Sequence, residues 1–279
     1  NIRQVLIEDN FAREALERQG LKVARTNWDN PDFDWAETRF AIFKTTWDYF
    51  NRFDEFSKWL KDTSQKTNFI NPIETILWNV DKHYLLDLKN SGINIPETIF
   101  MEKGDRRSIS DLFAESGWKD CVLKPAVSGA GRHTYKLNAN NVSEYEMVYS
   151  ELIQNETMML QEFQYNVLSE GELTFVVFGG KFSHAILKKA KIGEFRVQDD
   201  FGGTVHDYNA SEEEIAFAEM VVSKCTPLPV YGRVDVIKDN NGEYAVSELE
   251  LIEPELWFRN KPESADLYAD AVFEAMRKL

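Results

Sequence analysis

Two strand-like runs near the C-terminus, residues 230–237 and 244–251, constrain the fold of this chain more than any other feature. Between them lies Asn241-Gly242, which is typical of a two-residue type I′ turn joining two antiparallel strands. Such a turn predicts a β-hairpin and also fixes its register, because each residue then has a defined partner on the opposite strand.

The predicted register brings four charged residues to one face of the hairpin. Asp235 lies opposite Glu248 and Arg233 lies opposite Glu250, and the alternation of side chains along a strand puts all four on the same side. Two carboxylates directly across from each other repel. A divalent cation held by oxygen ligands would remove that repulsion, which predicts a metal site. The alternative is a solvated face with one cross-strand Arg–Glu pair, and the hairpin alone leaves both interpretations open.

The composition describes an ordered globular protein. The 279 residues are 43% hydrophobic and 13% aromatic, which is enough for two or three small domains with their own cores. The net charge of −15 argues against nonspecific binding to nucleic acid, although a local positive pocket for phosphate remains compatible with it. We find no apolar run of about 20 residues that would cross a membrane and no secretory signal, so neither nucleic acid nor membrane is expected as a partner.

The two cysteines indicate the cellular compartment. Cys121 and Cys225 lie in apolar surroundings without metal-ligand spacing, which predicts reduced thiols in a cytoplasmic protein. The chain starts at Asn1 without an initiating methionine, which predicts that an N-terminal piece has been trimmed. The sequence leaves a homodimer open.

The first domain, residues 1–72, is predicted to be a small α/β unit. Residues 9–19 and 53–60 carry apolar side chains at helical spacing, whereas residues 21–24 and 40–43 are typical of short buried strands. Helices alternating with strands predict a parallel sheet.

Two further domains are predicted for residues 73–157 and 158–279. In the second domain short strands alternate with helices, and in the third the strands follow one another directly. The predicted helices cover residues 81–90, 108–115, 141–154, 212–223 and 264–276. The predicted strands before the hairpin cover residues 98–101, 121–124, 133–137, 158–162, 173–178 and 181–189.

Two lysines are candidate phosphate contacts. Lys124 ends an apolar strand just before a loop rich in glycine and serine, residues 125–132. Small residues allow backbone N–H groups to approach an anion, and the lysine adds a positive charge. The loop is neither a Walker A sequence nor a complete dinucleotide fingerprint, and an ordinary lysine beside a flexible hairpin is the alternative. Lys82 lies in the first turn of a predicted helix, where a solvated lysine is the alternative.

A strand edge and a carboxylate are candidates for binding a nucleoside. The apolar strand 158–162 ends in the polar residues Gln161 and Glu162 followed by Phe163, and Glu172 opens the next strand. Backbone groups at such an edge suit adenine, and a carboxylate suits ribose hydroxyls. A buried strand followed by a surface glutamate is the alternative.

The segment 188–198 is basic within an acidic protein and contains Arg196. A guanidinium next to flexible glycines suits a phosphoryl group or a substrate carboxylate, and a solvated basic loop is the alternative. Nucleophilic catalysis is not indicated, because the four histidines are scattered and no Gly-x-Ser-x-Gly sequence occurs. Zinc is not indicated either, since no His/Cys cluster has ligand spacing.

Taken in order, these candidates form a series that resembles a known family. The series is Asp81-Lys82, Val122-Leu123-Lys124-Pro125 with its glycine loop, Gln161-Glu162-Phe163, Gly171-Glu172, Phe195-Arg196, Gly232-Arg233-Val234-Asp235 and Glu248-Leu249-Glu250. It resembles the ATP-grasp superfamily of carboxylate–amine ligases over about residues 70 to 260, in particular the glutathione-synthetase-like and ribosomal-protein glutamyl-ligase branch. The runs 46–49 and 248–254 are most similar to ligases associated with cycloserine biosynthesis.

The resemblance implies an ATP-grasp fold of mixed α/β and α+β class. An N-terminal parallel-sheet domain would precede two α+β subdomains that sandwich ATP, the first carrying a lid loop and the second a metal site. The implied phosphate contacts are Lys82, Lys124 and the lid residues Ser128, Gly129 and Gly131. The implied nucleoside contacts are Gln161, Glu162 and Phe163 for adenine and Glu172 for ribose. The implied metal ligands for Mg²⁺, or alternatively Mn²⁺, are Asp235, Glu248 and Glu250, and the implied catalytic residues are Arg196 and Arg233.

Two positions depart from the pattern of the relatives. Glu250 stands where many relatives have asparagine, which leaves the number of metal ions open. Lys44 stands where closer relatives often have arginine, so the identity of the substrate does not transfer from them.

The predicted function is an ADP-forming ligase that makes a C–N bond. ATP would phosphorylate the carboxylate of a small molecule, and an amine-type nucleophile would displace the phosphate. An ATP-binding sensor without catalysis and a small-molecule kinase with the same ATP site are the alternatives.

Overall fold

The computed structural model describes residues 2–197 and 201–278, with side chains from residue 6 onward, so residue 198 at the end of the basic segment lies outside it. The helices are α1 (Ile2–Arg18), α2 (Phe53–Thr63), α3 (Ile73–Asn79), α4 (Tyr84–Asn90), α5 (Ile109–Ser116), α6 (Glu146–Ile153), α7 (Val167–Glu170), α8 (Glu212–Ser223) and α9 (Ser264–Lys278). The strands are β1 (Phe40–Ile42), β2 (Asn68–Ile70), β3 (Thr98–Met101), β4 (Asp120–Pro125), β5 (Tyr135–Asn138), β6 (Met158–Glu162), β7 (Glu172–Phe178), β8 (Lys181–Lys189), β9 (Thr204–Tyr208), β10 (Tyr231–Lys238) and β11 (Tyr244–Glu250).

The N-terminal part contains the predicted parallel sheet, made of β1 and β2 with Ile42 opposite Ile70. The strand predicted for residues 21–24 is wrong, because this segment joins no ladder. Leu21 and Val23 instead pack against the core that α1 forms with α9. Packing against that core accounts for the apolar side chains of this segment without a strand. The actual partner strand, β2, was not predicted.

A four-stranded antiparallel sheet follows, with strand order β3-β6-β4-β5. Helices α5 and α6 cover it around an apolar core that includes Leu112, Leu123 and Leu160. The predicted boundary between residues 157 and 158 assigns β6 to the last domain, whereas β6 pairs with β3 and β4 here. The division into three domains remains a prediction.

A five-stranded antiparallel sheet carries the hairpin, with strand order β11-β10-β7-β8-β9. Side chains alternate between the two faces of this sheet, and each face packs into a different apolar core. Val234 and Leu249 pack with α4 and α8 on one face, and Val176 and Tyr231 pack with α1 and α9 on the other. The edge strand β9 was not predicted from the sequence.

The hairpin turn differs from the prediction, although the register at the charged residues is correct. Asp239 N–H donates to Glu243 O at 2.8 Å, so the loop has three residues, and only Gly242 adopts a positive φ, of 86°. A type I′ turn needs positive φ at two positions. The longer loop shifts the ladder by one residue, and an irregularity at Ser247 shifts it back, so that Asp235 still faces Glu248.

The overall class agrees with the prediction: mixed helix and sheet, parallel in the N-terminal part and antiparallel elsewhere. Among the described helices none combines the length and the hydropathy needed to cross a membrane.

Candidate active site

Three carboxylates converge on the charged face of the β10–β11 hairpin, where Asp235 is buried and Glu248 and Glu250 are partly exposed. Ligand oxygens of Asp235, Glu248 and Glu250 all lie within 4.8 Å of one another. Arg233 joins two of them, because its Nη2 lies 2.8 Å from Asp235 Oδ2 and also contacts Glu250 Oε1. The hairpin register produces this cluster, since positions 233 and 235 face positions 250 and 248.

Two lysines approach the cluster from outside the hairpin. Lys82 Nζ lies 3.1 Å from Glu248 Oε1 and donates to the Ser128 carbonyl at 2.7 Å. The Lys82 backbone N–H also donates to Ala126 O at 3.0 Å, which fixes the start of the helical segment beside the end of β4. Lys124, at the end of β4, donates to Gln161 Oε1 at 3.2 Å. The structure therefore brings both predicted lysines to one place.

A third lysine was missed in the sequence. Lys188 is almost fully buried, with its Nζ 2.7 Å from Glu172 Oε1 and 3.3 Å from Asp235 Oδ2. It was read only as part of a basic segment. The available signal was its position in the apolar strand β8, directly opposite Glu172 on β7. A lysine inside a buried strand needs an anionic partner.

The pKa values within the cluster diverge. Burial raises the pKa of Glu250 to about 7, with Glu248 and Asp235 adding to the rise and Arg233 opposing it. Burial would also raise the pKa of Asp235, but Arg233 and Lys188 outweigh it and bring that pKa to about 2. For Glu248, the ammonium groups of Lys82 and Lys124 outweigh burial and lower the pKa.

These shifts bear on whether a cation fits the cluster. Of these three carboxyls Glu250 is the hardest to ionise, first because it is buried and then because Glu248 and Asp235 are negatively charged. A divalent cation among the three carboxylates would remove that unfavourable interaction, and carboxylate oxygens are the ligands that Mg²⁺ prefers. The donor set therefore fits Mg²⁺.

The predicted lid loop packs against aromatic rings. A Cβ on Gly129 would lie 2.8 Å from Phe50 Cε1, and one on Gly131 would lie 3.1 Å from the Phe201 ring. Arg196 reaches the same loop: its guanidinium carbon lies 3.6 Å from the Phe201 ring centroid, and its Nη2 is 2.7 Å from Glu194 Oε2. Arg196 is thus positioned beside the lid, and its recorded ion pair is with Glu194 rather than with the carboxylate cluster.

The predicted nucleoside contacts lie at the end of β6. Gln161 donates from Nε2 to Thr98 Oγ1 at 2.9 Å, and Glu162 N–H donates to Glu97 O at 2.9 Å. Phe163 is buried, with Lys136 Nζ 3.7 Å from its ring centroid.

Glu172 begins strand β7. It is joined to Ser247, whose Oγ donates to Glu172 Oε2 at 2.9 Å, and to the Lys188 ammonium described above. Its place in a ribose contact remains a prediction.

Four further polar residues line the cleft beside the carboxylates and were not predicted as site residues. Asn79 and Tyr84 hold β11: Leu251 N–H donates to Asn79 Oδ1 at 2.8 Å, and Leu249 N–H donates to Tyr84 Oη at 2.9 Å. The other two, Tyr49 and Glu253, line the same cleft.

Glu253 is unusual among these four residues. Burial and the charge of Glu250 raise its pKa to about 8. The sequence offered only the weak signal that Glu253 closes an acidic run that also contains Glu248 and Glu250.

Comparison with known proteins identifies the fold and the family. The family model described as prokaryotic glutathione synthetase, ATP-grasp domain, matches residues 86–247, more than half of the chain. The chain belongs to the ATP-grasp family. As an ATP-grasp ligase it is an ADP-forming enzyme of the kind that makes C–N bonds, and the family uses ATP with Mg²⁺.

The N-terminal part of this ATP-grasp ligase matches a narrower model. Residues 3–71 match the N-terminal domain of D-cycloserine synthetase DcsG. The cycloserine biosynthesis protein DcsG of Streptomyces lavendulae is 27% identical over 282 residues, covering 95% of this chain and 92% of that protein. These matches confirm the resemblance stated from the sequence.

Solved structures show the same architecture. The crystal structure of D-cycloserine synthetase DcsG superposes with a TM-score of 0.85 at 25% identity, covering 96% of this chain and 94% of the other. The ATP-grasp ligase PsnB, in a complex with a minimal precursor, Mg and ADP, gives a TM-score of 0.63 at 15% identity, with coverage of 97% and 95%. The second likeness concerns the fold alone.

Proposed function

We propose that this ATP-grasp ligase activates a small-molecule carboxylate as an acyl-phosphate and transfers the acyl group to an amine. A carboxylate oxygen would attack the γ-phosphorus of ATP and release ADP. The amine nitrogen would then attack the acyl carbon, phosphate would leave, and the nitrogen would lose a proton. The single observation that carries this proposal is the convergence of three carboxylates, Arg233 and two lysines in one cleft.

The lysines and the lid loop are the proposed phosphate contacts. Burial lowers the pKa of Lys124, and nearby Lys82 adds to that effect. Two ammonium groups held this close repel each other, so an anion between them would stabilise both charged forms. The loop through Ser128, Gly129 and Gly131 would cover the phosphates. Excluding water there protects an acyl-phosphate from hydrolysis.

The metal site is proposed at Asp235, Glu248 and Glu250, for Mg²⁺ or alternatively Mn²⁺. When bound there, the ion would supply positive charge against the β- and γ-phosphates. Arg233 and Arg196 are proposed to stabilise charge on the transferring phosphoryl group, because a guanidinium forms paired hydrogen bonds with phosphate oxygens. Arg233 already forms ion pairs with two carboxylates of the cluster, Asp235 and Glu250.

The nucleoside contacts are proposed along the end of β6. Gln161, Glu162 and Phe163 would meet adenine, and Glu172 would meet the ribose. The buried ring of Phe163 and the polar edge of the strand support this arrangement.

The two cysteines bear on the proposed location of the protein in the cell. Both cysteines are buried free thiols, and burial raises the pKa of each to about 12, so they are poorly reactive. This is compatible with the cytoplasm. A homodimer remains an open alternative to a monomer.

Hydroxylamine trapping tests the proposed chemistry against its two rivals. With Mg-ATP and a panel of small carboxylates, a ligase that forms an acyl-phosphate would yield a hydroxamate and ADP in equal amounts. A sensor module would release no ADP. A small-molecule kinase would release ADP and leave a stable phosphorylated product without hydroxamate. ADP release without hydroxamate for every carboxylate that supports turnover would therefore rule out the ligase reaction.

A further inference from the structure

The turn of the β10–β11 hairpin is fastened to the segment that follows β6. Asn240 donates from Nδ2 to Phe163 O at 3.1 Å, and its Oδ1 accepts from the Tyr165 N–H at 2.9 Å. Asn166 Nδ2 donates to Asp239 O at 2.5 Å in the same contact. The hairpin that carries the carboxylate cluster is therefore also bonded to the strand end where the nucleoside contacts are proposed.

Gln164 lies inside this contact and is almost fully buried, with 6% of its surface exposed. Its Oε1 accepts from the backbone N–H of Asn240 at 2.8 Å. Its Nε2 donates to Glu162 O at 3.0 Å and to Glu162 Oε2 at 3.3 Å. A single amide group thus joins the hairpin turn to both the carbonyl and the carboxylate of Glu162, which is a candidate adenine contact.

The three-residue loop of the hairpin makes this bond possible. In a two-residue turn at 241–242, Asn240 and Glu243 would be the pair that closes the hairpin, and the Asn240 N–H would donate to Glu243 O. In the structure the Asp239 N–H donates to Glu243 O instead, at 2.8 Å. The Asn240 N–H is thereby outside the ladder and meets Gln164.

Glutamine suits position 164 because its side chain ends in one acceptor and one donor group. The acceptor faces an N–H group, whereas the donor faces two oxygen atoms of Glu162. A glutamate would place an oxygen against those oxygens, and a leucine would remove every bond. Since the amide is buried, water competes little for these bonds, and they hold Glu162 in one orientation.

We propose that Gln164 is a positioning residue for the adenine of ATP, because it holds Glu162 at a fixed place relative to the hairpin that carries the proposed metal ligands. The base and the phosphates of one nucleotide are then bound at a set separation. This inference rests on the proposed ATP site and adds to it a residue that acts through Glu162.

Nucleotide binding without a carboxylate substrate tests this role. ADP carries the base, whereas inorganic tripolyphosphate has neither base nor ribose, and calorimetry with Mg²⁺ measures the affinity of each. Gln164→Leu should bind ADP about three- to tenfold more weakly, the loss of one hydrogen bond, and should bind tripolyphosphate like the wild type. The exposed Gln65→Leu is the matched control and should bind both probes normally.

Gln164→Glu separates positioning from a purely structural role through its pH dependence. At pH 8.5 the new carboxylate would face the Glu162 oxygens, and ADP should bind about tenfold or more weakly than to the wild type. At pH 5.5 the new acid is protonated, because burial and the nearby Glu162 carboxylate disfavour its charged form, and its O–H donates again. The ratio of wild-type to variant affinity should then fall to about three or less. Gln65→Glu should give a ratio near one at both pH values.

Three outcomes overturn the inference: Gln164→Leu binds ADP with wild-type affinity, ADP and tripolyphosphate weaken by the same factor, or Gln164→Glu is equally impaired at both pH values. Failure of the ligase proposal looks different, because the selective loss of ADP affinity would remain while Mg-ATP gave no hydroxamate. A wild-type protein that binds neither probe would remove the proposed nucleotide site, and this inference with it.

Discussion

The ammonium nitrogen of Lys188 lies 3.3 Å from an Asp235 carboxylate oxygen, although the two residues are on strands separated by β7. Both side chains are almost completely buried, and Thr174 on β7 donates to the same aspartate at 2.6 Å. Asp235 is therefore held from three sides, by Lys188, Arg233 and Thr174. Both carboxylate oxygens are engaged, Oδ1 by Thr174 and Arg233 and Oδ2 by Arg233 and Lys188.

Lys188→Met is expected to destabilise the protein by about 3–5 kcal/mol, because it leaves Glu172 and Asp235 as buried charges without their cation. The free energy of unfolding is measured by urea denaturation without nucleotide. The neighbouring Lys189→Met is the control, since Lys189 is exposed and should change stability by less than about 0.5 kcal/mol. Equal stability of the two variants would contradict the buried ion network.

Asp235→Asn is expected to reduce ATP turnover by at least about a hundredfold while the fold is kept, because the amide has the same shape but loses the charge that a metal ligand needs. ADP release and circular dichroism check this. Asp62→Asn on an exposed position of α2 is the control. A normal rate in a folded Asp235→Asn protein would remove Asp235 from the metal site.

Lys124→Ala is expected to abolish most ATP turnover through weaker nucleotide binding. The variant removes a partly buried ammonium whose hydrogen-bond partner among the described groups is the neutral side chain of Gln161. The KM for ATP should rise by about tenfold or more, corresponding to the loss of a charge-assisted hydrogen bond. The exposed Lys103→Ala serves as the control, and an unchanged KM in Lys124→Ala would be the contrary result.

Gly129→Ala is expected to impair lid closure. The added methyl group would lie 2.8 Å from Phe50 Cε1, and the Phe50 ring is itself packed against Tyr49. The overlap costs about 1–3 kcal/mol unless the loop moves. We expect a lower kcat and a faster hydrolysis of the acyl-phosphate, seen as ADP released without product.

The double variant Phe50→Leu/Gly129→Ala tests whether overlap with the Phe50 ring causes the defect, because the shorter leucine side chain makes room for the methyl group. It should recover most of the lost activity, whereas Phe50→Leu alone should be close to wild type. Lack of recovery would show that the glycine matters for another reason.

The raised pKa of Glu253 predicts that the stability of the protein depends on pH. Its folded-state pKa is about 8, above the ordinary value of 4.5, so the folded protein favours the protonated form. The stabilisation is complete below pH about 4.5 and is lost as the pH rises through about 8. A shift of this size lowers the free energy of unfolding by about 3 kcal/mol between pH 5.5 and 8.5, which corresponds to a fall in Tm of roughly 6 °C.

Glu253→Gln should lose most of that dependence, because the amide mimics the neutral carboxyl at every pH. Thermal melts in EDTA measure it, and the exposed Glu151→Gln should keep the wild-type profile. If the Tm of the wild type and the Tm of Glu253→Gln fall in parallel as the pH rises, another group is responsible for the pH dependence.

The hairpin illustrates how far local reasoning reaches. Arg233 and Asp235 were correctly paired with Glu250 and Glu248, yet the turn that served to derive the pairing is one residue longer than predicted. The irregularity at Ser247 shifts the pairing back by one residue and so compensates for the longer turn. Ser247 Oγ also bonds Glu172 and the Asp235 carbonyl, so this position contributes to the site as well as to the register.

The residues missed are those whose role depends on distant parts of the chain. Lys188 looked like one of several basic residues, Tyr84 looked like an ordinary helix residue, and no helix was predicted at Asn79. Asn79 and Tyr84 meet their partners across separations that no local periodicity encodes: Asn79 lies 172 residues from Leu251, and Tyr84 lies 165 residues from Leu249. Packing of α3 and α4 against β11 creates these contacts.

The sequence by itself determined most of the strands and helices, the charged face of the hairpin, and the ordered series of residues that marks an ATP-grasp ligase. The strands, the helices and the charged face follow from side-chain alternation, helical spacing and turn chemistry, which act over a few residues, whereas the series was identified by its resemblance to a known family. Tertiary structure alone decided that Lys82, Lys124 and Lys188 surround the carboxylates. The reason is physical: burial and the distance between charges set their energies, and both quantities exist only once distant segments are packed together.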